Sequence, residues 1–195
     1  MLQLRKYLVK ERVAFMKLSD TYDIFDPETG QQVGIAKEVV PGYIKALRFL
    51  VKKQLLPTSV EIRAAEDAPA QVTLRRGVTL FRSKVHVFGA GGVLLGHFHS
   101  KLLSLGGGFH VYDNAGTKVA EVKGDWKGWN FKLLAADGRE LGTVTKKWAG
   151  IGKELFTSAD NYMIAISDGY EPDEGRMGLL LAAGLAIDIV FKEKQ

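Results

Sequence analysis

The sequence predicts a mainly β protein in which about ten to twelve antiparallel strands close on themselves around an apolar segment near the C-terminus. Three observations carry that expectation. Hairpin-like units recur along the chain, glycine is concentrated within and between them, and residues 177–191 are apolar on every side except at Asp188. At 195 residues the chain slightly exceeds one average domain, so residues 1–195 are read as a single unit. A content of 46% hydrophobic and 25% charged residues is ordinary for a globular protein and excludes a disordered tail or a fibrous repeat. The chain has no cysteine, which rules out a disulfide framework, a thiolate metal site and a thiol nucleophile, and fits a reducing cytosol.

The strands are read from alternation and turn chemistry. Apolar runs flank turns in four stretches, starting at Thr21, Val85, Phe109 and Phe131. The turn glycines Gly92, Gly116 and Gly138 are 24 and 22 residues apart, a spacing that suits two strands and two connections per unit. Gly116 and Gly138 can take the positive φ of a tight turn, and Asp113, Asn114 and Asp137 can hydrogen-bond their own backbone. Phe109 with Val111, and Phe131 with Leu133, sit two apart and so share one face of a strand. Residues 60–66 and 71–81 add a further pair around Pro69. So many strands in so short a chain favour closure over an open sheet.

Two segments break the alternation. Residues 42–56, between Pro41 and Pro57, carry apolar side chains at helical spacing with Lys45, Arg48 and Lys52 on the opposing stripe, which predicts a short amphipathic helix. Residues 177–191 predict a second helix, apolar all round, which must lie inside a protein or a membrane. Its fifteen residues would span about 22 Å, against about 30 Å of bilayer hydrocarbon. Length and Asp188 favour the interior of a closed barrel, with membrane insertion as the alternative. Residues 1–18 interleave Arg5, Lys6, Lys10, Glu11 and Arg12 with apolar residues, so no export signal is expected there.

Charge is segregated. Residues 39–60 hold Lys45, Arg48, Lys52 and Lys53 without an acid, and residues 68–112 hold Arg75, Arg76, Arg82, Lys84 and Lys101, again without one. These stretches carry +9 and the remainder −4, summing to the net +5. A fold that brings both to one side presents a cationic face to phosphate groups, whether on lipids or on nucleic acid.

Motifs for chemistry are scarce. His97 and His99 have metal-ligand spacing on a strand, but no third ligand accompanies them. Gly150–Lys153 lacks the first glycine and the Ser or Thr of a phosphate loop. Gly106–Gly108 reads as a bend, and no G-x-S-x-G elbow or nucleophile set is present. Asp168, Glu171, Asp173 and Glu174 form an acidic loop, and Trp126, Trp129 and Trp148 read as packing residues. No catalytic residue, metal ligand or cofactor is expected.

The run GTVTKKWAGIGKELFTSADNYMIAI (142–166), followed by an acidic loop and MGLLLAAGLAIDIVFKEK, resembles the C-terminal half of the phospholipid scramblases. KLLSLGGGFHVYDNAG (101–116) and GDWKGWNFKLL (124–134) are similar to the LURP-one-related proteins. Both groups belong to the tubby C-terminal-like superfamily. The resemblance, from Tyr22 to Phe191, implies a closed antiparallel barrel of about twelve strands around a buried C-terminal helix. It departs from animal scramblases at 158–169, where a calcium loop would need several oxygen ligands. Ser158, Asp160, Tyr162 and Gly169 stand at four key positions, one carboxylate among them. Charge and resemblance together give the expected function: a non-enzymatic, cytoplasmic module, peripheral at the inner membrane surface. It would bind anionic phospholipid headgroups through Lys45, Arg48, Lys52, Lys53, Arg75, Arg76, Arg82 and Lys84. Lipid scrambling is the first alternative, and a nucleic-acid-binding tubby-like role the second.

Overall fold

Turn and strand chemistry operate locally much as the sequence implies. The computed structural model describes residues 1–12, 19–47, 49–51, 55–78, 84–100, 108–125, 128–146 and 161–188. At the expected turns, Asp113 accepts from the Thr117 amide at 2.8 Å and Asp137 from the Arg139 amide at 3.0 Å, while Gly116 and Gly138 take φ of 82° and 85°. These contacts replace ladder bonds where the chain reverses.

Twelve strands result: β1 (Lys6–Glu11), β2 (Thr21–Phe25), β3 (Gln32–Val39), β4 (Thr58–Arg63), β5 (Ala70–Arg76), β6 (Lys84–Gly89), β7 (Leu94–Ser100), β8 (Gly108–Asp113), β9 (Lys118–Asp125), β10 (Asn130–Leu134), β11 (Glu140–Thr145) and β12 (Asn161–Ile166). Each pairs antiparallel with its sequence neighbours, and β1 pairs with β12 to close the barrel. Closure removes every free sheet edge. The strand that seals the ring, β1, lies in the 1–18 segment whose interleaved charges argue against an export signal and for which no strand is expected. Its signal is the run Tyr7–Val9, all three fully buried.

A helix, α2 (Glu174–Ala186), occupies the lumen. It starts three residues before the expected 177, because Asp173 caps it by accepting from the Arg176 amide at 2.8 Å. Residues 189–191 of the expected segment lie outside the described residues. Met177 through Ala186 are all buried, packed against inward side chains such as Tyr7, Val72, Val87, Phe109, Phe131 and Ile164. Full burial of Leu179, Leu180, Leu181 and Leu185 alone is worth about 6–12 kcal/mol, the size of a whole domain's net stability. The acidic loop is spent on this end of the helix: Asp173 caps it, and Arg5 binds Glu171 at 2.7 Å.

The barrel therefore has two unlike mouths. At the mouth holding the N-terminus of α2, the turns β2–β3, β4–β5, β6–β7, β8–β9 and β10–β11 reverse. At the other, where α2 ends, β3 leads through α1 (Gly42–Leu47) to β4, and β5 ends as β6 begins. The helix expected over 42–56 is correspondingly shorter. Residues 49–51 form a turn and a bend, with the Val51 amide bonded to the Leu47 carbonyl at 2.8 Å, and residues 48 and 52–54 lie outside the described residues. Residues 161–166, within the expected calcium window, are strand β12 with Tyr162 fully buried. That half of the window is barrel wall, not a ligand loop.

Packing between α2 and the wall is tight enough to test. A Cβ at Gly184 would lie 2.5 Å from Cδ1 and 2.8 Å from Cγ1 of Ile164. Gly184→Val is expected to lower unfolding free energy by about 1–3 kcal/mol. Adding Ile164→Ala should recover part of the loss relative to the sum of the single changes, read from urea unfolding midpoints in a double-mutant cycle.

Candidate cationic membrane-facing site

Strand alternation decides which basic residues reach the outside. On β5, Val72, Leu74 and Arg76 share the inner face, so Arg75 points out and is exposed while Arg76 is only 4% exposed. Arg76, expected on the headgroup-facing surface, is buried on the inner one. It lines the inner wall at the α2 C-terminal mouth, paired in register with Thr58, whose hydroxyl donates to the buried Glu38 carboxylate at 2.6 Å. The cue was present in the sequence: position 76 continues the period-two series of 72 and 74.

Lys84 opens β6 on the outer face and is exposed, and Lys45 sits half-buried on α1. Register brings these elements together, because α1 joins β3 to β4 and β4, β5 and β6 are consecutive neighbours. Lys45, Arg75 and Lys84 thus gather toward one mouth and its outer wall. Arg48, Lys52, Lys53 and Arg82, expected on the same surface, lie outside the described residues.

Elsewhere on the barrel most described basic residues have acid partners, Lys10 on β1 excepted, which lies 4.9 Å over the Phe25 ring. Lys6 pairs with Glu28, Arg12 with Asp23, Lys37 with Glu66, Lys132 with Glu140, and Lys118 and Lys123 with Glu121. Among the described residues, no carboxylate pairs with Lys45, Arg75 or Lys84; Arg75 instead lies 5.1 Å over the Phe88 ring. Each exposed ion pair contributes little to stability. Their distribution nonetheless leaves one sector of the surface with uncompensated positive charge.

All four histidines lie on that sector. His86 faces Arg75 across β5–β6, His86 faces His97 across β6–β7, and His97 faces Tyr112 across β7–β8. A second row runs Lys84, His99, His110, ending at Glu121 on β9. The expected His97–His99 pair is therefore part of a larger wall assembled by register, which local spacing does not reveal. His97 stacks on Tyr112 with centroids 4.9 Å apart and rings within 8° of parallel. No group of three or more His, Cys, Asp or Glu is placed to hold a metal ion among the described residues. Partial burial, and then the Lys84 charge, hold the His86 and His97 imidazoles below their ordinary value, so both are neutral at pH 7.

Inside the same mouth, Arg76 shares the interior with buried acids. Asp188, just past α2, is 2% exposed, and its charge adds to burial in pushing the Tyr22 and Tyr162 phenols well above their usual range. Tyr162 also packs on Trp129, which serves as a wall residue under the Lys146 ammonium. Trp126 and Trp148 lie outside the described residues. Among the described residues, no helix is long and apolar enough to cross a membrane.

Neither the curated proteins nor the solved structures yield a match to this chain. A protein-family model does: the family described as Scramblase matches residues 69–194, from the start of β5 through α2, with Arg75, Lys84 and the histidine wall inside the matched span. With that match covering well over half of its length, the chain belongs to the scramblase family.

Proposed function

We propose that the protein is a non-enzymatic module that binds anionic phospholipid headgroups at the inner membrane surface through the outer wall of β5–β8 and the adjoining α1 mouth. The observation that carries this reading is the charge pattern. Lys45, Arg75 and Lys84 lie toward one mouth without acid partners, whereas most cations on the rest of the barrel are paired with carboxylates. Family membership adds lipid as the phosphate-bearing partner. The contact is electrostatic, on the order of 1 kcal/mol per basic residue near an anionic surface, and fades with salt. Arg48, Lys52, Lys53 and Arg82 extend the same set by sequence position. Family membership also favours a second reading, headgroup passage across the bilayer, for which dithionite bleaching beyond half of a fluorescent-lipid signal in reconstituted vesicles is the readout.

Sedimentation with vesicles tests the headgroup reading. At low salt the protein should pellet with phosphatidylserine-containing vesicles and not with pure phosphatidylcholine. Arg75→Gln with Lys84→Gln should lower partitioning roughly 30-fold, the equivalent of about 2 kcal/mol. Equal pelleting with neutral and anionic vesicles would reject it.

A pH dependence follows from the histidine wall. His86 and His97 titrate below their ordinary value of about 6.5, so they gain charge only as pH falls beneath it. Vesicle binding should therefore rise between pH 7 and pH 5, and His86→Gln with His97→Gln should flatten the rise. The folded-state value is depressed, so the unfolded chain holds more protons in this window. The accompanying stability is full above the unfolded value and is lost as pH falls through the folded one. Thermal melts should show the wild type losing stability on acidification more steeply than the double variant.

A further inference from the structure

The α1 connection has more apolar side chains than it can bury. Val40, Ile44 and Leu56 form a small cluster with Val51 that seats the segment on the barrel. The others turn outward: Tyr43 is 69% exposed, Phe49 77% and Leu50 85%. Of the nine large apolar side chains exposed among the described residues, six lie between Val39 and Leu55. A soluble surface rarely concentrates such groups without a partner. The same 39–60 stretch has no acid and carries Lys45, Arg48, Lys52 and Lys53. Exposed apolar side chains in a stretch whose charged residues are all basic match the boundary between anionic headgroups and acyl chains. They do not match an acidic protein groove, which would leave Phe49 and Leu50 facing carboxylates.

We infer that Tyr43, Phe49 and Leu50 form a wedge that inserts into the interfacial layer of an anionic bilayer, with Lys45 held at the headgroups. This rests on the headgroup-binding reading and adds a contact outside the family match, which begins at residue 69. The wedge explains why this segment buries only part of its apolar side chains: Ile44 and Val51 face the barrel, while Tyr43, Phe49 and Leu50 face a partner. The two contributions differ in salt response. Headgroup attraction is screened, whereas apolar insertion is not. Phe49→Ala with Leu50→Ala should lower partitioning onto phosphatidylserine-containing vesicles roughly tenfold, and by the same factor at high salt.

Because the chain has no native cysteine, a single reporter can be placed at will. Leu50→Cys carrying an environment-sensitive NBD probe should shift to the blue on phosphatidylserine-containing vesicles and be quenched by lipids spin-labelled on the acyl chain. Val93→Cys, at the opposite mouth and 62% exposed, should do neither. Sedimentation of the Leu50→Cys protein without quenching above the Val93→Cys level overturns the wedge and leaves headgroup binding standing. Failure to sediment with anionic vesicles overturns both. A blue shift without vesicles that grows with protein concentration would assign the surface to a second copy of the chain and also overturns the wedge.

Discussion

Burial of α2 on all sides is the constraint from which the rest of the structure follows. A helix with one apolar stripe can lie on an open sheet, but one apolar around its whole circumference needs a sheath around its whole circumference. Twelve strands supply it, and the β1–β12 pairing makes the sheath continuous. Small residues set the fit: Gly184 meets Ile164 and Gly178 meets Val72 at distances that leave little room for a side chain. The inner face is thereby committed to packing, and surface chemistry is left to the outward-facing alternate residues and the two mouths.

The mouths divide that chemistry. The N-terminal mouth of α2 is held by the Asp173 cap and the Arg5 ion pair with Glu171. The other mouth carries buried acids inward, Glu38 and Asp188, and uncompensated cations and apolar side chains outward. Buried charge of both signs, Arg76 with Glu38 and Asp188, is thus kept inside the wall, while Arg75 and Lys84 project from its outer face. A surface arranged in this way attracts anions from outside and leaves the plugged lumen undisturbed. The scramblase match spans β5 to β12 and the plug, whereas α1 and its exposed apolar side chains lie before it.

Much of the fold could be read from single residues. Asp113 with Gly116 and Asp137 with Gly138 announced their turns, Phe109 with Val111 and Phe131 with Leu133 announced inward faces, and the length of the last apolar run announced an enclosed helix. What escaped was set by tertiary context. Tyr7–Val9 sit in a short run whose partner, β12, is more than 150 residues away, so no local pattern marks it as the closing strand. The histidine wall likewise exists only through register. Arg76 was within reach, since it continues the series of Val72 and Leu74, but adjacent charge at Arg75 obscured the alternation. The α1 stripe misled for a different reason. Helical spacing reports that apolar residues share a face, not that the protein covers that face.

The central claim is that α2 is the enclosed core of the barrel, on a membrane surface as well as off it. Amide hydrogen exchange over residues 177–187, with and without phosphatidylserine-containing vesicles, tests it most directly. Amides there should be among the slowest in the chain, opening only with global unfolding, and should keep that protection when vesicles are added. Exchange faster than that of the strand amides, or a change in protection confined to this helix on vesicle binding, would contradict it.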